Sequence, residues 1–285
     1  MSSQESLGKG FGGGAGEPLQ ESSPSHPLNS TSNAGGEGGV GGGQGPLTKK
    51  VPGPPPTNSP AKPRAVVLLS GGLDSCVVAA VARQNYELAL LHANYGQRTL
   101  TRELAAFRAQ AAFYQVRQVL EVDLKFLGEI GGSCLTDLKE PVPTDLEEAP
   151  GIPSTYVPFR NSLFLAAAVA WAEVLGARAV FIGAHVLDNP GYPDCRPEYF
   201  AAFNRLIRVG TRPETDIVIF TPLIHLNKEG IIRLGLELGA PLELTWSCYV
   251  NDLKACGRCS SCRLRLKGFA AAGIPDPIRY QEGLS

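Results

Sequence analysis

Large apolar residues are sparse at the start of the chain and dense after it. Through position 63 they amount to little more than Leu7, Phe11, Leu19, Leu28, Val40, Leu47 and Val51. Such a stretch cannot bury enough surface to offset its chain entropy. From Arg64 onward short apolar runs alternate with helical periodicities. Ala65 to Leu69 is a wholly apolar, β-branched run of the kind expected of a central parallel strand covered on both faces. Val77, Val78, Val81 and Ala82 then recur at helical spacing within Cys76 to Gln84, and Leu88 to Ala93 restores a buried strand. The pattern continues with helix at 101–113, strand at 118–122, a Gly/Pro-rich stretch from Gly128 to Pro158, and helix at 161–175. Strand at 179–183, helix at 196–209, strand at 217–221 and helix at 228–238 complete it. Strands alternating with helices at this spacing predict an α/β fold with a doubly wound, mostly parallel sheet.

Composition sharpens the boundaries. Residues 1–63 hold 15 of the 33 glycines and 10 of the 23 prolines, with six prolines in Pro52 to Pro63 reading as a stiff linker. Three segments are therefore expected: a disordered tail and linker (1–63), an α/β domain (64–240) and a C-terminal metal-binding segment (241–285). Gly8 to Gly13 matches a dinucleotide fingerprint in form, but no strand precedes it and no helix pattern follows, so it reads as solvated tail. The chain carries 26 basic and 27 acidic residues, a near-neutral balance that disfavours direct nucleic-acid binding. The longest apolar run, Leu163 to Ala172, is about half of the roughly 20 residues a membrane span needs. With no basic and apolar leader at the N-terminus, a cytoplasmic protein is expected.

Two clusters carry chemistry. In doubly wound sheets ligands sit beyond the carboxyl ends of the strands, at helix N-termini. The first such loop is Ser70-Gly71-Gly72-Leu73-Asp74-Ser75. Adjacent glycines let backbone N–H groups approach an anion, the helix N-terminus adds partial positive charge, and Ser70 and Ser75 supply hydroxyls. Asp74 beside a phosphate nest implies a divalent cation between them. No Walker-type motif is present. The second cluster is Cys248, Cys256, Cys259 and Cys262, whose two overlapping Cys-x-x-Cys spacings suit four thiolates converging on one structural Zn²⁺. Of the remaining cysteines, Cys76 reads as a buried hydrophobe, whereas Cys195, between Asp194 and Arg196, could have its pKa lowered by the guanidinium.

The segment from Leu69 to Ser75 resembles the pyrophosphate-binding loop of the N-type ATP pyrophosphatases, the PP-loop or adenine nucleotide alpha hydrolase-like superfamily. Further segments narrow the likeness: Asn94-Tyr95-Gly96-Gln97-Arg98, Val157-Pro158-Phe159-Arg160-Asn161, Gly191-Tyr192-Pro193-Asp194-Cys195-Arg196, Thr245-Trp246-Ser247-Cys248-Tyr249 and the cysteine cluster. Together they resemble the 7-cyano-7-deazaguanine synthase family of queuosine biosynthesis, a tRNA-modification pathway, over nearly all of residues 65–277. Thr99 stands where relatives usually carry His. The resemblance implies a ligase that converts 7-carboxy-7-deazaguanine and ammonia to 7-cyano-7-deazaguanine with Mg-ATP, through an adenylated carboxylate and an amide. It implies that Leu69 to Ser75 hold the nucleotide phosphates, with Asp74 acting through Mg²⁺, and that Tyr95, Gln97 and Arg98 lie on the adenine and ribose side. Arg160 and Asn161 would bind carboxylate or phosphate, making Ser70, Asp74 and Arg160 the expected catalytic set. Tyr192, Asp194 and Arg196 would read the deazaguanine. Relatives are commonly homodimers, so a second copy is an expected partner. The alternatives are a PP-loop paralogue that joins a deazaguanine to a protein amine, and an RNA-modifying PP-loop enzyme.

Overall fold

A computed structural model describes residues 61–144, 151–187 and 191–282. The tail through residue 60 and Glu147-Glu148 of the Gly/Pro-rich stretch lie outside the described residues. Five parallel strands form one sheet in the order β3-β2-β1-β4-β5: β1 (Arg64–Leu68), β2 (Glu87–Asn94), β3 (Val119–Asp123), β4 (Ala179–Phe181) and β5 (Val218–Phe220). The long helices are α1 (Leu73–Arg83), α2 (Leu100–Phe113), α4 (Arg160–Leu175), α5 (Pro197–Gly210), α6 (Lys228–Glu237) and α7 (Ser260–Ala272), with a single turn at α3 (Phe126–Ile130).

The apolar runs of the inner strands are explained by the two cores they separate. Ala65 and Val67 of β1, Leu88 and Leu90 of β2, and Ala179 and Phe181 of β4 face one cluster, built with α1, α2, α6 and α7. Val66, Leu68, Ala89, Leu91 and Val180 face the other, packed under α4 and α5. Period-two alternation therefore sends every second residue to a different core, and both faces must be apolar.

Two departures from the sequence-based elements have physical causes. α1 begins at Leu73, three residues before the expected start, because the Gly-Gly bend passes directly into the helix. α7 went unforeseen: its buried face includes Arg265 beside Phe269 and Ala272, and a buried guanidinium breaks the apolar periodicity. Phe269, Ala272 and Leu242, from the segment beyond position 240, share the core of the α/β layers. At Gly268 a Cβ would stand 2.5 Å from Lys228 Cγ, which is how closely α7 approaches α6. No helix among the described residues is long and apolar enough to cross a membrane.

Candidate active site

β1 and β4 are neighbours whose chain connections leave in opposite directions, and a cavity of about 270 Å³ opens at their carboxyl ends. Its floor is the β1–α1 loop. Gly71 has φ +89°, and a Cβ there would come within 2.4 Å of the Glu103 carbonyl oxygen, so only glycine lets the loop rest on α2. The Gly71 carbonyl accepts from Gln110 Nε2 and from the Trp246 N–H, both at 2.9 Å, and is thereby turned into the protein. Ser75 Oγ lies 3.2 Å from the Ser70 N–H, 3.1 Å from Ser70 Oγ and 3.1 Å from the Gly72 carbonyl, locking the bend. Gly72 is the N-cap of α1 and no side chain caps the helix. The first-turn N–H groups of Leu73, Asp74 and Ser75 therefore lack intrahelical acceptors and sit beside the cavity, an anion-binding arrangement. Gly183, just beyond β4, packs closely on α1: a Cβ there would lie 3.2 Å from Ser75 N.

Asp74 is held by two bases. Lys228 Nζ donates to Oδ1 at 2.6 Å and Oδ2 at 2.9 Å, and His185 Nε2 lies 3.2 Å from Oδ2. Burial works against the carboxylate, but Lys228 and then His185 more than reverse that and hold its pKa well below the usual range. Lys228, at the first position of α6, was missed as a site residue. A lysine there opposes the helix dipole, and that misfit was the available signal.

Across the cavity, Phe159 adopts the left-handed conformation (φ 57°), a strain of about 1–3 kcal/mol that turns the chain so that α4 begins at Arg160. The guanidinium lies over the rings of Tyr95 (5.2 Å) and Phe164 (5.5 Å) and donates to Tyr95 OH at 3.2 Å. Its Nε is buried without a partner, and it makes no ion pair among the described residues. Arg160 is thus a desolvated cation waiting for an anion. Tyr192 and Asn161 line the same cavity. Asp194 does not; its Oδ2 accepts the Asn161 N–H at 3.1 Å, and so it anchors the start of α4. Gln97 supports Tyr95, accepting its N–H at 2.9 Å. Arg98 points away and ties down a neighbouring segment, donating to the carbonyls of Cys134 and Asp137 at 2.6 Å and to that of Glu140. Arg196 is exposed and occupies the N-cap position of α5, where its side chain makes no capping hydrogen bond. Neither Arg98 nor Arg196 lines the cavity. The lowered thiol expected of Cys195 is corrected: burial and then Asp194 push it up to about 12.

The Gly/Pro-rich stretch is partly wall. Leu135 and Thr155 line the cavity, Cys134 N donates to Ser154 O at 3.0 Å, and the hydroxyls of Thr155 and Tyr192 are in contact.

The remaining wall comes from the cysteine segment. The sulfurs of Cys248, Cys256, Cys259 and Cys262 are buried and lie within 4.8 Å of one another. A tetrahedron with metal–sulfur bonds of about 2.3 Å has edges of about 3.8 Å, and the Cys256–Cys262 sulfurs are 3.9 Å apart. Backbone N–H groups of Val250, Asn251 and Cys256 point at the Cys248 sulfur, and those of Arg258 and Cys259 at the Cys256 sulfur, at 3.3–3.4 Å. The donor set and size fit one thiophilic ion. Ser247, Tyr249 and Ser261, each adjacent to a cysteine, line the cavity, so this centre holds up a wall. Behind it Arg265, 1% exposed, donates to Asp276 at 2.7 and 2.9 Å and to Thr245 Oγ1 at 2.7 Å.

With this geometry in place, comparison with known proteins is informative. The family model described as queuosine biosynthesis protein QueC matches residues 64–273. The chain is similar to the 7-cyano-7-deazaguanine synthase of Chlorobium chlorochromatii (strain CaD3), 55% identical over 219 residues that cover 76% of this chain and 96% of that protein. It is similar to the proteins of that name from Chlorobium phaeobacteroides (strain DSM 266 / SMG 266 / 2430), 53% identical over 220 residues (77% and 97%), and Chloroherpeton thalassium (strain ATCC 35110 / GB-78), 54% identical over 219 residues (76% and 97%).

Proposed function

The chain belongs to the queuosine biosynthesis protein QueC family, and from that premise we propose that it is a 7-cyano-7-deazaguanine synthase. It joins ammonia to the carboxylate of 7-carboxy-7-deazaguanine and dehydrates the resulting amide to the nitrile, with ATP activating oxygen. The observation that carries this reading is that the N-terminus of α1, uncapped by any side chain, and Arg160, which makes no ion pair among the described residues, line one cavity. The match to nearly the whole length of the relatives favours it over a protein-tagging paralogue or an RNA-modifying enzyme.

The chemistry follows from the charge layout. A carboxylate resists attack because its charge and resonance make carbon a poor electrophile. Arg160 can hold the anionic substrate or the α-phosphoryl group, with Tyr95 and Phe164 keeping the guanidinium in place. The N–H groups of Leu73, Asp74 and Ser75, with the Ser70 hydroxyl, receive the departing pyrophosphate. Lys228 supplies a cation at that end and Asp74 orients it. Mg²⁺ bound with ATP would neutralise phosphate charge, and Asp74 is the carboxylate that would hold it. Tyr192 and Tyr249 line the cavity and would stack on a flat base. The four thiolates would hold Zn²⁺ as a structural ion.

Incubation of the full chain with 7-carboxy-7-deazaguanine, ammonium and Mg-ATP tests the reading. Mass analysis should find the nitrile only when all three are present; its absence from folded, metal-loaded protein would refute the assignment.

A further inference from the structure

Glu103 is the one carboxyl lining the cavity that makes no ion pair among the described residues. It sits in the first turn of α2, where a sequence reader assigns an acid to the helix dipole. Such acids normally face solvent. Glu103 instead faces the cavity, and the Gly71 bend of the phosphate loop rests on its own backbone carbonyl.

Only neutral donors hold it. Thr99 Oγ1 lies 2.8 Å from Oε1, and Gln97 Nε2 donates to Oε2 at 3.2 Å. Thr99 Oγ1 also lies 3.2 Å from the Cys248 carbonyl. A hydroxyl has one proton, so this geometry offers two consistent states. With Glu103 ionised, Thr99 donates to it. With Glu103 protonated, Glu103 donates to Thr99, which turns its own proton to the Cys248 carbonyl. The network stays satisfied either way, which suits a group that gains and loses a proton during turnover.

The cavity thus presents a guanidinium, Arg160, and a carboxyl, Glu103, neither of which makes a direct ion pair among the described residues. A reaction between a carboxylate and ammonium brings both missing partners. We propose that Glu103 is the general base that binds ammonium and removes protons from the reacting nitrogen. This rests on the nitrile-synthase reading and adds a catalytic residue to it. In the first stage Glu103 takes a proton from ammonium; the nitrogen lone pair forms the C–N bond to the adenylated carboxyl carbon. The C–O bond to AMP breaks, AMP leaves with the electron pair, and Glu103, having released the first proton to solvent, takes a second nitrogen proton to give the amide. In the second stage, with ATP again supplying the leaving group on the amide oxygen, Glu103 takes the two amide protons in turn and passes each to solvent; the N–H electron pairs form the remaining C–N bonds as the C–O bond breaks and AMP leaves.

The environment agrees. Burial raises the Glu103 pKa, while Thr99, Gln97 and Arg160 lower it and Asp252 raises it, leaving it at about 7. The activity limb that depends on it is lost as pH falls through that value.

Glu103→Gln keeps the side-chain shape and tests the role. Expected are a fall of about 10²–10³-fold in ammonium-dependent nitrile formation, unchanged ATP–pyrophosphate exchange supported by the carboxylate substrate, and loss of the pH limb near 7. Hydroxylamine, uncharged at neutral pH, should form the hydroxamate at closer to the wild-type rate, and Glu103→Asp should recover part of the ammonium reaction. A Glu103→Gln enzyme that makes nitrile at the wild-type rate would overturn the proposal. So would loss of exchange in both variants, which would assign Glu103 to the scaffold. Failure of wild-type protein to make the nitrile would instead count against the parent reading.

Discussion

The two sides of the cavity are built by opposite means. The phosphate loop is six consecutive residues running from the end of a buried strand into the first turn of a helix, held by the sheet, by Ser75 and by the packing of Gly71 on α2. The facing wall, from Thr245 to Arg265, has little regular structure before α7 and gains its shape from four thiolates and one buried ion pair. One side is therefore a product of local chain geometry, and the other depends on cross-links. The difference predicts that they fail separately: metal loss should unmake the wall and leave the loop standing.

Removing the metal is the harshest test of that separation. Strong chelation, or Cys256→Ser with Cys259→Ser, should abolish nitrile formation, because structural zinc sites carry about 10–16 kcal/mol of coupled binding and folding energy. Hydrogen exchange should rise sharply at Trp246 to Cys262 while β1 and α1 keep their protection; uniform loss across both would erase the distinction. Arg265→Met comes next. It leaves Asp276, itself buried, without its counter-charge, and should cost about 3–5 kcal/mol in urea unfolding. Asp74→Asn should leave the wall and fold intact but lower kcat by about 10²–10³-fold, since it frees Lys228 and removes the phosphate-end carboxylate.

Gly71→Ala strikes the loop side through its backbone. A φ of +89° and a contact at 2.4 Å with the Glu103 carbonyl should together lower stability by about 2–4 kcal/mol, with metal content unchanged. The smallest effect is on acid stability. The Asp74 pKa is depressed in the folded protein, so its contribution is present above the unfolded value of about 3.9 and is lost as pH falls through the folded one. Asp74→Asn should accordingly flatten the acid side of the stability curve.

The same contrast explains what could be read in advance. The sheet, its helices and the phosphate loop are legible because each is a local pattern: alternation across two cores, helical spacing, a Gly-Gly bend at a strand end. The cysteine spacing is legible because knuckle geometry is local too. Tyr95, Arg160, Asn161 and Tyr192 were marked by family motifs and do meet in the cavity, but motif membership could not separate them from Arg98, which ties down the chain at Cys134 and Asp137, or from Arg196, which is exposed and outside the cavity lining. Lys228 and Glu103 escaped for a related reason. Each sits in the first turn of a helix, where sequence offers a bland explanation, and its place in the cavity arises only from long-range packing. Arg160 and Lys228 both begin a helix with a positive charge against the dipole, a cost of about 0.3–1 kcal/mol that function explains and propensity does not.

Tracing the substrate's carboxylate oxygen tests the central claim most directly. With 7-carboxy-7-deazaguanine carrying heavy oxygen in its carboxylate, capture of the activated acyl group should deliver label to the phosphate of AMP, as adenylation at the α1 N-terminus requires. Label in inorganic phosphate, or nitrile formed with no label in any nucleotide, would contradict it.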